Sequence, residues 1–201
     1  GNANLIEDVT NQNIRDYYKS ANTLQVATGF IASTQEDETT TLGRGGSDYT
    51  ASIIGAALEA EEIEIWTDVD GVMTADPKVV KGAFSLESLT YTEAMEMSHF
   101  GAKVIYPPTM RPIVSKKVPL KIRNTFNRSF PGTYISNSAR PNMEGPSNFR
   151  TRGTPIKGIS SISQASLLTL EGSGMIGTPG ISFRLFGALA KNAINIILIT
   201  Q

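Results

Sequence analysis

Short apolar runs alternate with helix-period segments over residues 1–135, and this alternation restricts the fold more than any other feature of the 201-residue sequence. Residues 9–19 read as a helix, with Ile14, Tyr17 and Tyr18 at spacings of three and four. Residues 24–32 form a short apolar run and read as a buried strand. Residues 47–59 read as a helix with Ala51, Ile54 and Leu58 on one stripe, followed by a strand at 63–66. Thr90-Tyr91-Thr92-Glu93 fits a capping box, in which hydroxyl and carboxylate satisfy free amides at a helix start; that helix is expected to stop near Gly101. Pro107 and Pro108 suit the first turn of a further helix ending before Pro119, and residues 120–123 give a last short strand. Such alternation implies an α/β fold with a largely parallel sheet covered on both faces.

Residues 137–154 differ in composition. They are rich in Ser, Asn, Pro, Gly and Arg and read as an interdomain linker. Residues 155–201 hold a strand (166–170), a helix (about 179–191, with Ile181, Leu185 and Leu189 as its buried stripe) and a strand (194–200). Two strands and one helix cannot close a core, and the last apolar strand would leave an edge unpaired. The expected organisation is therefore residues 1–136, a linker at 137–154, and a second, partial domain at 155–201.

Composition excludes several functions. With 18 Lys+Arg against 19 Asp+Glu, bulk electrostatics do not favour nucleic acid. The absence of Cys removes disulfides, thiolate zinc sites and a cysteine nucleophile, and one His cannot supply a two-imidazole site. No apolar run reaches the ~18 residues of a membrane span. Gly1 opens neither an initiator Met nor a signal peptide, so the sequence is expected to begin inside a longer protein of a reducing, cytoplasmic setting.

Thr39-Thr40-Thr41-Leu42-Gly43-Arg44-Gly45-Gly46-Ser47-Asp48-Tyr49-Thr50 is the most informative stretch. Glycines let the backbone approach a ligand, and the helix start that follows favours an anion. Arg44 adds a planar fork matched to a carboxylate or phosphate, and Asp48 suits an ammonium group. Together they describe a pocket for a zwitterion. The spacing is neither a Walker loop nor the dinucleotide fingerprint, since Asp48 stands where the third Gly belongs. A plain Gly-rich turn capped by Ser47 is the structural alternative.

The loop Thr67-Asp68-Val69-Asp70-Gly71-Val72-Met73-Thr74-Ala75-Asp76-Pro77-Lys78 follows a strand, where open α/β sheets bind ligands. Composition alone favours two turns with solvated carboxylates, at Asp70-Gly71 and Asp76-Pro77. Lys103 suits either the end of the preceding helix or a phosphate. A helical His99 reads as structural rather than as a general base, and Met95 and Met97 as packing. Arg111, Lys116, Lys117, Lys121 and Arg123 read as a solvated basic face.

Taken together, these segments resemble the aspartate kinases of the amino-acid-kinase family. Residues 40–51 (Thr-Thr-Leu-Gly-Arg-Gly-Gly-Ser-Asp-Tyr-Thr-Ala) look like its central signature, and residues 66–77 like its nucleotide-binding loop. Residues 93–107 are similar to its Phe-Gly-Ala-Lys segment, and residues 124–133 to the end of the kinase domain. Residues 167–201 resemble the start of a regulatory ACT domain, a βαββαβ fold. The resemblance implies the C-terminal half of an amino-acid-kinase α/β/α sandwich plus a partial ferredoxin-like (ACT) βαβ unit. It also implies transfer of phosphate from ATP, with Mg²⁺, to the side-chain carboxylate of L-aspartate.

Carried over by position, Arg44 would take the substrate α-carboxylate and Asp48 its amine, with Gly45 and Ser47 lining the site. Thr67, Asp68, Met73, Lys78, Lys103 and Val104 would contact the nucleotide. The family often has Tyr at Met73 and Arg at Lys78. Its Lys-Phe-Gly-Gly segment, whose Lys stabilises the transferring phosphoryl group, has no counterpart here, so negligible activity is expected of the chain alone. Met175, Ile176, Gly177 and Gln201 match effector positions, with threonine favoured over lysine, and ACT pairing implies a homo-oligomer. An amino-acid kinase acting on another acceptor such as glutamate, or a non-catalytic effector-binding module, stand as alternatives.

Overall fold

Helix α1 (Glu7–Ser20) leads to a hairpin of β1 (Ile31–Ser33) and β2 (Thr39–Thr41), then α2 (Gly46–Ala57) and β3 (Ile63–Thr67). β4 (Ser88–Thr90), α3 (Tyr91–His99), α4 (Pro107–Lys116), β5 (Leu120–Asn124) and β6 (Thr133–Ser136) follow. This computed structural model describes residues 3–99, 105–138, 156–162, 165–175 and 177–200. They fall into two units, 1–163 and 164–201.

The main sheet has the order β3-β5-β6-β4. β3 pairs with β5 in parallel, as does β4 with β6, but β5 and β6 are antiparallel. Two of the three pairings are thus parallel, as expected, and one antiparallel pair makes the sheet mixed. The chain between β5 and β6 is too short for the crossover that a parallel pair needs. Gly132, at φ +77°, makes the tight return, and a Cβ there would strike the Ile122 carbonyl.

Among the described residues, the two faces of β3 and β5 differ in burial. Ile63, Ile65, Leu120 and Ile122 are buried on one face. The other face carries Glu64, Trp66, Lys121 and Arg123, with Arg123 bonded to Glu64 at 3.1 Å and stacked 4.4 Å over the Trp66 ring. Lys121 lies 3.6 Å from Glu64, and Lys116 bonds Glu59 at 3.0 Å. Much of the expected solvated basic face is therefore an acid–base ladder.

Helix boundaries follow the local signals. Thr90 and Glu93 form the reciprocal capping box, at 2.8 and 3.2 Å. Pro107 and Pro108 occupy the first turn of α4, which stops at left-handed Lys117. Met95 and Met97 pack against the core, as expected. The buried face of α2 is different from the expected stripe: Ser52, Ile53, Gly55, Ala56 and Ala57 are buried, while Leu58 is exposed. Small residues win there because α2 lies so close to β3 that a Cβ on Gly55 would overlap Ile63. Helix α1 buries none of its residues, although Arg15 Nε donates to the Ala57 carbonyl at 2.9 Å. The expected strand at 24–32 shrinks to β1, with Leu24 and Val26 fully exposed, because only residues 31–33 find a pairing partner in β2.

Residues 156–162 fall within the first unit. In the second unit, α5 (Ile181–Lys191) forms behind the left-handed Gly180, and Ile181, Leu185 and Leu189 are half-buried. The strands expected at 166–170 and 194–200 are not formed. Neither segment pairs with a strand among the described residues, and Leu167 and Leu198 stay exposed. The linker expected at 137–154 lies outside the described residues except for Asn137 and Ser138.

Candidate functional site

Strand β2 runs into buried Leu42 and then a glycine turn. Gly45 is the N-cap of α2, at φ +67°, and the helix has no side-chain cap. The Ser47-capped turn is therefore not formed; Ser47 lies inside the first helical turn, exposed. A side chain at Gly45 is doubly excluded. The conformation is left-handed, and a Cβ would sit 2.7 Å from Tyr106 Cβ. Tyr106 is the N-cap of α4, so the N-terminal ends of α2 and α4 meet at this point.

Asp48 is half-buried in the first turn of α2, and burial pushes its carboxyl above the usual carboxylate range. It has no ion pair or hydrogen-bond partner among the described residues. Arg44 is exposed and likewise unpaired among them. A desolvated carboxylate without a cation is costly, and an incoming ammonium group removes that cost. The arrangement offers a guanidinium to one end of a zwitterion and a carboxylate to the other.

The loop after β3 is fastened from several sides. Thr133 Oγ1, fully buried, accepts from the Val72 amide at 2.8 Å and donates to the Leu86 carbonyl at 2.6 Å. Gly71, at φ +123°, lies flat against that hydroxyl. Asp70 accepts from Asn124 Nδ2 at 2.8 Å and Asn127 Nδ2 at 3.1 Å, so it is not the solvated turn carboxylate that composition favoured. The Thr125 amide also donates to the Thr67 carbonyl at 2.8 Å. Met73 is half-buried, and Ser85 Oγ lies 3.2 Å from its sulfur. Thr67 Oγ1 donates to Asp68 at 3.2 Å. Asp76 takes the Lys78 amide at 2.8 Å, closing the second turn as expected, and leaves the Lys78 side chain exposed.

Gly45, Arg44 and Asp48 thus gather at the start of α2, and Thr67, Asp68, Met73 and Lys78 lie along the loop beyond β3. The two sets share no hydrogen bond among the described residues. Lys103, Val104, Ile176 and Gln201 lie outside them. Met175 ends a short 3₁₀ turn (Ser173–Met175), and Gly177 has φ +74°. The sequence reading missed Asp70, Asn124, Asn127 and Thr133 as one fastening. The Asn-Thr-Phe-Asn spacing and the Pro-Gly-Thr return carried the signal, but only the β3–β5 and β5–β6 pairings bring them to the loop.

A model of the amino acid kinase family matches residues 1–124, more than half of the chain. The chain belongs to the amino acid kinase family. An ACT domain model matches residues 168–201. Among curated proteins, the chain is similar to the chloroplastic bifunctional aspartokinase/homoserine dehydrogenase 2 of Arabidopsis thaliana, with 45% identity over 88% of this chain and 19% of that protein. It is also similar to the lysine-sensitive aspartokinase 3 of Escherichia coli, with 38% identity over 88% of this chain and 37% of that one. The solved structure of E. coli aspartokinase III in complex with aspartate and ADP matches at TM-score 0.60 and 33% identity, covering 86% of this chain and 36% of that chain. That of Clostridium acetobutylicum aspartate kinase matches at TM-score 0.61 and 34% identity, covering 69% and 32%. The chain spans about a fifth of the length of the bifunctional relatives that it matches. The family's α/β architecture matches the fold described above.

Proposed function

We propose that the chain carries the aspartate and nucleotide sites of an aspartate kinase, which transfers the γ-phosphoryl group of MgATP to the side-chain carboxylate of L-aspartate. The observation that carries this reading is Asp48, a half-buried carboxylate with no cation of its own among the described residues, four positions after an exposed Arg44. Arg44 takes the α-carboxylate, Asp48 the α-ammonium, and Gly45 and Ser47 line the space between. The side-chain carboxylate of the substrate then points away from the pair. One of its oxygens attacks the γ-phosphorus and ADP leaves. Its unperturbed pKa of ~3.9 means that it is ionised at pH 7, so no general base is required. What the protein supplies is position and charge neutralisation.

Thr67, Asp68, Met73 and Lys78 hold the nucleotide in this reading, completed by Lys103 and Val104. The donor set fits a magnesium ion carried in with the phosphates. No cluster of three or more acidic or imidazole groups occurs among the described residues, and magnesium normally takes one or two carboxylates plus phosphate oxygens. Asp68, exposed and bonded among the described residues to Thr67 alone, is the carboxylate available for it. The E. coli structures in complex with aspartate and ADP, and with lysine and aspartate, support the assignment of substrate and nucleotide class.

The regulatory part is the ACT stretch. Met175, Ile176, Gly177 and Gln201 bind an amino-acid effector, threonine ahead of lysine, and ACT pairing makes the protein a homo-oligomer. No helix among the described residues is long and apolar enough to cross a membrane; we assign the protein to the cytoplasm. The test is ADP release by the chain in its natural sequence context, with L-aspartate, L-glutamate or no acceptor. Release that depends on aspartate alone supports the reading. Equal release with glutamate, or none from a folded protein, overturns it.

A further inference from the structure

Residues 156–162 form a strap across the first unit, and three contacts fix it. Lys157 Nζ bonds both oxygens of Glu93, at 2.7 and 2.9 Å. The Ile159 amide donates to the Thr74 carbonyl at 2.8 Å. Gly158 lies so close to the loop and to α3 that a Cβ would meet Met97 Cε at 2.8 Å and the Thr74 carbonyl oxygen at 3.1 Å. Glu93 is already the reciprocal cap of α3, taking the Thr90 amide at 2.8 Å. One short segment therefore clamps two elements: the loop after β3, one residue beyond Met73, and helix α3 at its cap.

We propose that Lys157 is a positioning residue for nucleotide binding, holding the loop through the strap while touching no part of the nucleotide. This inference rests on the nucleotide reading given above. Its chemistry is that of a fastening: the cation neutralises a carboxylate that the helix cap needs ionised, and the neighbouring amide pins the loop backbone.

Two measurements on the chain in its natural sequence context test this: calorimetric titration with MgATP and with L-aspartate, and amide hydrogen exchange. Lys157→Met is expected to weaken MgATP binding about tenfold and to leave aspartate binding unchanged. It should also speed exchange at residues 72–80 while the amides of β3 and β5 stay protected. Lys157→Arg should restore both. Unchanged MgATP affinity and loop exchange in Lys157→Met would overturn the proposal, as would equal weakening for MgATP and aspartate. A wild-type chain that is folded by exchange yet binds no MgATP would overturn the nucleotide reading itself, and the inference with it.

Discussion

Thr133→Val tests the fastening of the loop at its buried centre. The substitution keeps the shape of the side chain and removes the hydroxyl. Two buried groups then lose their partner, the Val72 amide and the Leu86 carbonyl, both belonging to residues that are almost fully enclosed. Each orphaned group costs about 1–3 kcal/mol, and removing the desolvated hydroxyl returns part of that, so the expected loss is about 3 kcal/mol. With a urea m-value of about 2 kcal/mol/M, the midpoint should fall by about 1.5 M. The single Trp66 on β3 reports the transition by fluorescence. Thr133→Ser is the control: it retains both hydrogen bonds and loses one methyl group, worth about 1 kcal/mol. If Thr133→Val shifts the midpoint less than Thr133→Ser, the hydroxyl is not what holds the loop, and the reasoning fails.

Asp48→Asn should leave stability at pH 7 equal or higher while abolishing aspartate binding, because burial raises the Asp48 pKa, and the folded state therefore loses stability as pH rises through that value. Paired melting and calorimetry check it, and a large drop in melting temperature would contradict it. Arg44→Ala, at an exposed position, should weaken aspartate binding at least tenfold with no change in melting temperature. Gly45→Ala should destabilise by more than 1 kcal/mol in urea, from its positive φ and the Tyr106 contact, as is typical of strained backbone sites. For Glu93, burial opposes ionisation, but Lys157 and the Thr90 amide outweigh it and hold the carboxyl below its usual range. Its stabilisation is therefore present above the ordinary glutamate pKa and lost as pH falls through the lower folded value; an acid titration should show this step shrink in Lys157→Met.

Local chemistry made much of this fold legible. The Thr90–Glu93 box, the paired prolines of α4 and the glycine turn before α2 act within a few residues, so the sequence carries them directly. The antiparallel return of β5 into β6 and the partner that β1 finds depend on pairing across the chain, which periodicity does not report. The stripe of α2 misled because a small-residue face allows the closest approach, so Ile54 and Leu58, though larger, are not the residues enclosed. At the candidate site, Arg44 and Asp48 stand out in the sequence because a guanidinium and a carboxylate flanking a glycine turn have a direct chemical meaning. Asp70 does not, since its two amide donors, Asn124 at the end of β5 and Asn127 just after it, lie more than 50 residues away in sequence. The link of Lys157 to Glu93 comes from packing between segments 64 residues apart, which local signals do not report.

The central proposal is that Arg44 and Asp48 turn the side-chain carboxylate of aspartate toward the phosphoryl donor. The most direct measurement is trapping of the acyl phosphate. The chain in its natural sequence context is incubated with MgATP, hydroxylamine and either L-aspartate or L-glutamate, and the hydroxamate is identified by mass spectrometry. The account predicts the β-hydroxamate of aspartate, dependent on ATP and lost in Asp48→Asn. ADP formation with no hydroxamate, or a glutamate hydroxamate in equal yield, would contradict it.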